Sequence, residues 1–405
     1  MHRQQFTKDI FWTTLVVATL YSSYRYPLQI NFSGTSPTYI DTPPILQISK
    51  YVIIIAAALL SIFSSTRNHI TQKRFLFIIA YASIVAYPFI PFMYDGDFRH
   101  LQFPIVSLCA LLISVAVPDV ELESLTRFMK GLLFISISAN AIQILLFLTI
   151  GRLPALAYEN TIFIRFGGFL DDPNGFAAIL FLLYGFLYHA KKTITNVICT
   201  ASVILSIILT QSLTAISFYI FISLTLRLLR NPKATLALIV IALIALTAYV
   251  YFSDAIIQDT YTTFFSSKME SIEGHISWIN LRNDFGILTT IIGAFDYRPS
   301  ESWWIGSVNN YGLFWVSALF GLNAMYIFRL RALLRHNLQP DKVRAIFAIF
   351  IFSIYVLFGS FNFPFYQIFP INFILMTFIC LVMLGKIRSN SVMEPPLLPL
   401  HNTVS

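Results

Sequence analysis

Apolar runs of roughly twenty residues recur along almost the whole chain, separated by short polar breaks. By hydropathy they fall near 10–26, 44–65, 75–93, 101–117, 128–150, 174–190, 195–210, 212–229, 234–252, 303–327, 345–362 and 365–385. A bilayer-crossing helix needs about 20 predominantly apolar residues. The pattern therefore predicts an all-α polytopic membrane protein with about 12 transmembrane helices. One connection, near 253–302, is long, and loops beyond roughly 12–15 residues are usually functional or disordered. It interleaves His275, Trp278, Arg282, Asp284 and Glu301 with apolar residues such as 285-FGILTTII-292, and reads as a partly helical flap lying on the membrane. Residues 1–388 are expected to form a single multi-span domain and 389–405 a short disordered tail.

Composition reinforces the pattern. Charged residues make up 11% of the chain, against about 25% in soluble domains, and the mean hydropathy is +0.72. The net charge of +8 is dispersed in small clusters between apolar runs, without the stripe or motif of a nucleic-acid binder. Those clusters orient the spans. With the N-terminus inside, alternate connections collect 19 of the 27 basic residues, from Arg3 and Lys8 through Arg329, Arg331, Arg335, Lys342 and Arg344 to Lys386 and Arg388. The other side receives only Arg25, Lys50, Arg99, Arg152, Arg165, Lys268, Arg282 and Arg298. Lys and Arg favour cytoplasmic loops, so both termini are predicted to be cytoplasmic and the connections near 151–173 and 253–302 external.

Cys109, Cys199 and Cys380 all fall in apolar runs and indicate neither a disulfide framework nor a metal cluster. His2, Arg3 and Lys8 before 10-IFWTTLVVATLY-21 mimic a secretory signal. No small-residue cleavage site follows, so this reads as a retained first span.

Two external stretches carry candidate chemistry. The first is 165-RFGGFLDDPNGF-176. Asp172 before Pro173 is a good helix start, since Asp caps and Pro suits the first helical position. One reading is structural, with Arg165 snorkelling at the interface beside a capped span. The other is functional: a helix start attracts phosphate, Gly167 and Gly168 permit close backbone approach, and Arg165 presents a planar fork to phosphate oxygens. On that reading Asp171 is suited to taking a proton from a sugar hydroxyl.

The second stretch joins 282-RNDFGILTTIIG-293 to 301-ESWWIGSVNNYGLFW-315. Trp303 and Trp304 are expected in the aromatic belt of the outer interface. Asn309, Asn310 and Tyr311 suit either helix–helix hydrogen bonding or sugar recognition. His275, in the acidic patch 270-ESIEGH-275, reads as solvated surface and has no metal-ligand spacing around it. No acidic residue falls within a predicted span, whereas proton-coupled transporters use intramembrane relays.

With many spans, a long late external loop, and Arg165, Gly168, Asp172, Pro173 and Asn174 opening a middle helix, the chain resembles the O-antigen polymerase and ligase superfamily. The run 309-NNYGLFWVSALFGL-322 is similar to that family's late motif. Wzy-type polymerases carry an arginine with a glycine eleven positions later in each of two loops. Arg282 and Gly293 match this spacing; Arg165 has Phe176 there, with Gly175 one position early. The ligase branch has a histidine before the late Asn, where this chain has Val308, so the resemblance favours a polymerase.

The resemblance implies a bacterial inner-membrane enzyme of GT-C-like glycosyltransferase architecture. It would join undecaprenyl-diphosphate-linked oligosaccharide repeats at the periplasmic face, without metal, nucleotide or other cofactor. Arg165 and Arg282 would stabilise the pyrophosphate leaving group, and Asp171, Asp172, Glu301 or His275 would serve as the base. Gly167, Gly168, Asn174, Asn309, Asn310 and Tyr311 would bind substrate. Implied partners are membrane lipid, a chain-length regulator and a flippase. The rivals are an O-antigen ligase, a transporter or flippase of lipid-linked sugars, and a structural subunit of an export complex.

Overall fold

Helices account for about 83% of the residues that the computed structural model describes, namely 2–21, 44–65, 71–150, 166–170, 172–231, 287–295, 297, 302–336 and 340–388. They run α1 (His2–Tyr21), α2 (Pro44–Ser64), α3 (Gln72–Ala86), α4 (Phe89–Asp95), α5 (Arg99–Ala116), α6 (Leu122–Ile150), α7 (Pro173–Tyr188), α8 (Ile194–Leu209), α9 (Leu213–Arg230), α10 (Ile287–Ile292), α11 (Trp303–His336), α12 (Pro340–Gly359) and α13 (Ile371–Met383). A two-residue parallel pairing, β1 (Val120–Glu121) beside β2 (Ile387–Arg388), supplements them. The predicted span 234–252 and the predicted tail 389–405 lie outside the described residues.

Four described stretches are long and apolar enough to cross a membrane: Gln72–Asp95, Phe98–Ala116, Leu122–Leu146 and Trp303–Arg335. Two of them are interrupted. Pro88, which has no N–H to donate, splits the predicted span 75–93 into α3 and α4. Gly312, at φ 83°, kinks α11. Other boundaries follow side-chain caps, with Thr193 Oγ1 accepting the Asn196 N–H and Ser212 Oγ the Ala215 N–H, each at 3.3 Å.

α7 and α13 are buried around their whole circumference, as expected of helices that are apolar on every face. α7 packs most extensively on α12. Gly185 makes this possible, because a Cβ there would lie 2.8 Å from the Ala348 Cα; small residues let apolar helices approach this closely. Peripheral helices instead turn large apolar residues outward, such as Ile194, Val197, Ile198, Leu205 and Ile208 on α8. A greasy exterior of this extent needs an apolar environment to cover it.

Cross-links at the helix ends sort the termini into two sets, with α1, α6 and α12 starting and α5, α7, α11 and α13 finishing at the same end. At one end Lys8 meets Glu121 (3.0 Å), Lys386 Nζ donates to the Val117 carbonyl (2.8 Å), Arg329 Nη1 to that of Met383 (3.2 Å) and Arg344 Nε to that of Phe186 (3.1 Å). At the opposite end Tyr21 bonds Ser49, and Asn362 Nδ2 donates to Thr214 Oγ1 (2.9 Å). The first end is the basic one, as the distribution of Lys and Arg predicts.

Candidate functional site

The opening of α7 is built as a capped helix start. Asp172 sits in extended backbone and its Oδ2 accepts the Gly175 N–H (2.6 Å), while its main-chain carbonyl accepts that of Phe176 (2.9 Å). Asn174 Nδ2 adds a bond to Asp172 Oδ1 (3.4 Å). The preceding turn is gripped by Gln143 of α6, whose Nε2 donates to the Gly168 carbonyl (2.9 Å) and whose Oε1 accepts the Gly168 N–H (3.0 Å). Gly168, at φ 59°, has the ring of Phe176 where a Cβ would stand. Gly167 and Gly168 are buried; Gly168 admits the helix's own phenylalanine, and Asp172 serves the helix N-terminus.

The second stretch forms a backbone seam. α10 docks on the kink of α11 with Gly293, at φ 94°, against the main chain of Asn310 and Tyr311. A Cβ on Gly293 would lie 2.6 Å from the Asn310 carbonyl, and one on Gly312 would strike the main chain of Ile291–Gly293. The Ala294 N–H donates to the Asn309 carbonyl (2.9 Å), and the Tyr87 hydroxyl closes the C-terminus of α10 at the Ile292 carbonyl (2.8 Å). Asn309 therefore enters through its backbone. Asn310 and Tyr311 are buried.

Tyr311 leads into a polar chain that the sequence reading did not single out. Its hydroxyl meets His100 Nδ1 (3.1 Å), and His100 Nε2 meets Asp95 Oδ2 (2.9 Å). A carboxylate only accepts, so the Nε2–H of His100 donates to Asp95. The imidazole is 0% exposed. Asp95 Oδ2 also accepts the Tyr297 N–H (3.1 Å), and Asp95 Oδ1 accepts that of Asp97 (2.8 Å). The Tyr297 ring packs edge-on against His100 and beneath the Arg99 guanidinium, 4.2 Å from its centroid. Burial pushes the Tyr297 hydroxyl above its ordinary pKa. Arg99, hydrogen-bonded to Asp97 through Nε (2.9 Å), holds that carboxyl below the usual carboxylate range.

Consecutive residues of the turn between α12 and α13 join the two constellations. Gln367 Nε2 donates to the Tyr297 hydroxyl (3.1 Å), and Ile368 lies 3.9 Å from where a Gly175 Cβ would stand. The same turn covers the tryptophan pair, which corrects the expectation of an interfacial belt. Trp303 stacks on Tyr366 (5.6 Å, 9°), and Trp304 Nε1 donates to the Leu357 carbonyl (3.0 Å). Both indoles face protein, at 3% and 4% exposure.

Arg165, Asp171, His275, Arg282 and Glu301 lie outside the described residues. Of the sequence-derived site residues, the structure brings Asp172, Asn174, Gly167 and Gly168 together at the start of α7, and Asn309, Asn310 and Tyr311 together at the seam. Asp95 and His100 stand in 95-DGDFRH-100, two carboxylates and a histidine at the entrance of an apolar span, just outside the spans where intramembrane relays are expected. No group of His, Cys, Asp and Glu able to hold a metal occurs among the described residues. In comparisons with protein-family models, curated proteins and solved structures, nothing matches the chain.

Proposed function

We propose that the chain is a twelve-span, GT-C-like enzyme of the bacterial inner membrane that joins undecaprenyl-diphosphate-linked oligosaccharide repeats at the periplasmic face. The observation that supports this reading best is the meeting of two stretches far apart in sequence, the start of α7 and the Gly293–Tyr311 seam, on either side of Gln367 and Ile368. Both belong to the end of the bundle opposite the basic one. A lipid pyrophosphate is already an activated leaving group, so such an enzyme needs cations for the departing charge and one base for the attacking hydroxyl. Arg165 and Arg282 are assigned the first task. For the second, Asp172 is the weaker candidate base, because its carboxylate already caps α7; Asp171, Glu301 or His275 takes that role. Undecaprenyl chains and membrane lipid would lie against the exposed apolar faces, with a flippase supplying repeats and a chain-length regulator limiting growth.

One observation favours a second reading. The Asp95–His100 pair, an enclosed imidazole on a partly exposed carboxylate, is a titratable couple of the kind proton-coupled transporters use, so a transporter of lipid-linked sugars is the rival. Deleting the gene in its host and sizing the surface polysaccharide on a gel separates them. Single-repeat product without long chains, rescued by wild type but not by Arg282→Ala, is the expected outcome. Long lipid-linked polymer that never reaches its acceptor identifies a ligase. Undiminished long polymer sinks the polymerase, while repeats accumulating on the cytoplasmic side favour transport.

A further inference from the structure

Segment 287–297 is held to the bundle in an unusual way. α10 has six residues, and isolated helices shorter than about 12–15 residues are marginal. Its isoleucines add little burial within the protein, since Ile287, Ile291 and Ile292 are 82%, 45% and 37% exposed. What fixes the segment is directional. The Asp95 carboxylate accepts the Tyr297 N–H, the Asn309 carbonyl accepts the Ala294 N–H, and the Tyr87 hydroxyl donates to the last carbonyl of α10. Between these bonds the Gly293–Gly312 seam leaves no room for a side chain. Asp95 is in turn aimed by His100, which is itself pinned by Tyr311, one residue before the kink.

From this geometry we infer that Asp95 and His100 form a latch that fixes the late external segment to the kink of α11. They are positioning residues, since His100 is wholly enclosed and Asp95 spends its acceptor sites on protein donors. The carboxylate bonds two main-chain N–H groups, Asp97 on its own turn and Tyr297 on the segment, and so couples the α4–α5 turn to it. His100 sets the carboxylate's orientation, and the Tyr297 ring closes over the imidazole (5.1 Å, 85°). That the latch serves glycosyl transfer rests on the proposed function; that it holds the segment does not.

Hydrogen exchange on the purified full-length chain, followed by mass spectrometry, tests the latch directly. In Asp95→Asn the 287–297 peptide is expected to exchange roughly tenfold faster or more, as when a charged hydrogen bond is lost and a local opening becomes easier. Peptides from α7 and α13 are expected to keep their wild-type rates. His100→Gln, which retains a polar side chain in the enclosed site, provides the same reading where Asp95→Asn fails to accumulate. Unchanged exchange in 287–297 overturns the latch, and so does equal loosening of α7 and α13, which would make Asp95 a general core residue.

Polymer length in the host tests the positioning half. Shortened chains in Asp95→Asn, with recovery in Asp95→Glu, support it. Normal chains in Asp95→Asn, where Arg282→Ala abolishes polymer, overturn it. Normal chains in Arg282→Ala as well count against the polymerase reading, and the latch is then decided by the exchange result.

Discussion

At the basic end of the bundle the cations Lys386, Arg329 and Arg344 reach for helix carbonyls, with Lys8–Glu121 a side-chain pair beside them, whereas the opposite end holds a cluster of side chains bonded to one another and to close-packed backbone. Lys386, Arg329 and Arg344 each donate to a carbonyl near the C-terminus of another helix: Val117 after α5, Met383 of α13 and Phe186 of α7. Those carbonyls lack intrahelical partners and lie at the negative end of the helix dipole, so a cation there is a structural solution with nothing left over. The other end has a carboxylate, an imidazole and two phenols in one cluster, two positive-φ glycines pressed backbone to backbone, and a glycine turn gripped by Gln143. Closing helices does not require this much registration. The contrast assigns architecture to one end and positional precision to the other.

The comparison breaks most visibly if the arginines proposed to act on the pyrophosphate are set against a basic-end arginine in an activity assay. On the proposed reading, Arg165→Ala and Arg282→Ala each abolish long polymer while the protein stays in the membrane. Arg344→Ala, at the basic end, is expected to lower stability and leave polymer length normal. Equal polymer lengths across all three variants would remove the functional distinction between the ends.

The next effect is on the fold. Gly293→Ala and Gly312→Ala place a side chain where φ is positive and where neighbouring backbone already stands. Each is expected to cost about 3 kcal/mol or more, read as a large fall in thermal midpoint in detergent. Gly131→Ala and Gly321→Ala are the controls. Both residues are helical with open space at the Cβ position, so they should stabilise by up to ~1 kcal/mol. A seam glycine that tolerates alanine as well as Gly131 does would mean that the close approach is not required.

These glycines mark where the sequence stopped being readable. Hydropathy and charge reported what depends on a residue's own chemistry. They anticipated the helical class, the position of most helices, the Asp172 cap and the basic end. They did not report what depends on who stands opposite. Gly293 was noticed for its spacing from Arg282, yet its need for glycine comes from Asn310 and Tyr311. Gly168 was read as room for a ligand, and the room is filled by Phe176, eight residues on. Trp303 looked interfacial because the turn that covers it, 360–370, lies some sixty residues away in sequence. His100 was overlooked because its partners Asp95 and Tyr311 are 5 and 211 residues distant.

A smaller effect sharpens the account of the basic end. Lys386 is buried and its ammonium donates to the Val117 carbonyl. Lys386→Met keeps the apolar stem and removes the donor, leaving the end of α5 short of a partner at a cost of about 1–2 kcal/mol. Because β2 pairs with β1 next to this bond, exchange should rise at Val120 and stay unchanged at Tyr297. Loosening at Tyr297 would show the two ends to be coupled, contrary to the division drawn above.

The smallest expected effect belongs to the Asp97–Arg99 pair, which lies beside the latch without being part of it. Arg99 holds the Asp97 carboxyl below its ordinary range through a hydrogen bond and charge. A group whose pKa is lowered by folding adds stability that is fully present above its unfolded pKa and fades as pH falls through the lowered folded value. The Asp97 tie is therefore intact at neutral pH and weakens only in acid. With side chains 24% and 50% exposed, solvent screens the pair, and Asp97→Asn should cost no more than about 0.5–1 kcal/mol at pH 7. In strong acid the variant and the wild type should converge, because both then lack the charge. A midpoint difference that grew on acidification would reverse the sign and implicate a group other than Asp97. Loss of Asp97 should also leave exchange in 287–297 near the wild-type rate, since Tyr297 is bonded to Asp95. The contrast between adjacent carboxylates, one a surface tie and the other a latch, makes Asp97→Asn the internal control for Asp95→Asn.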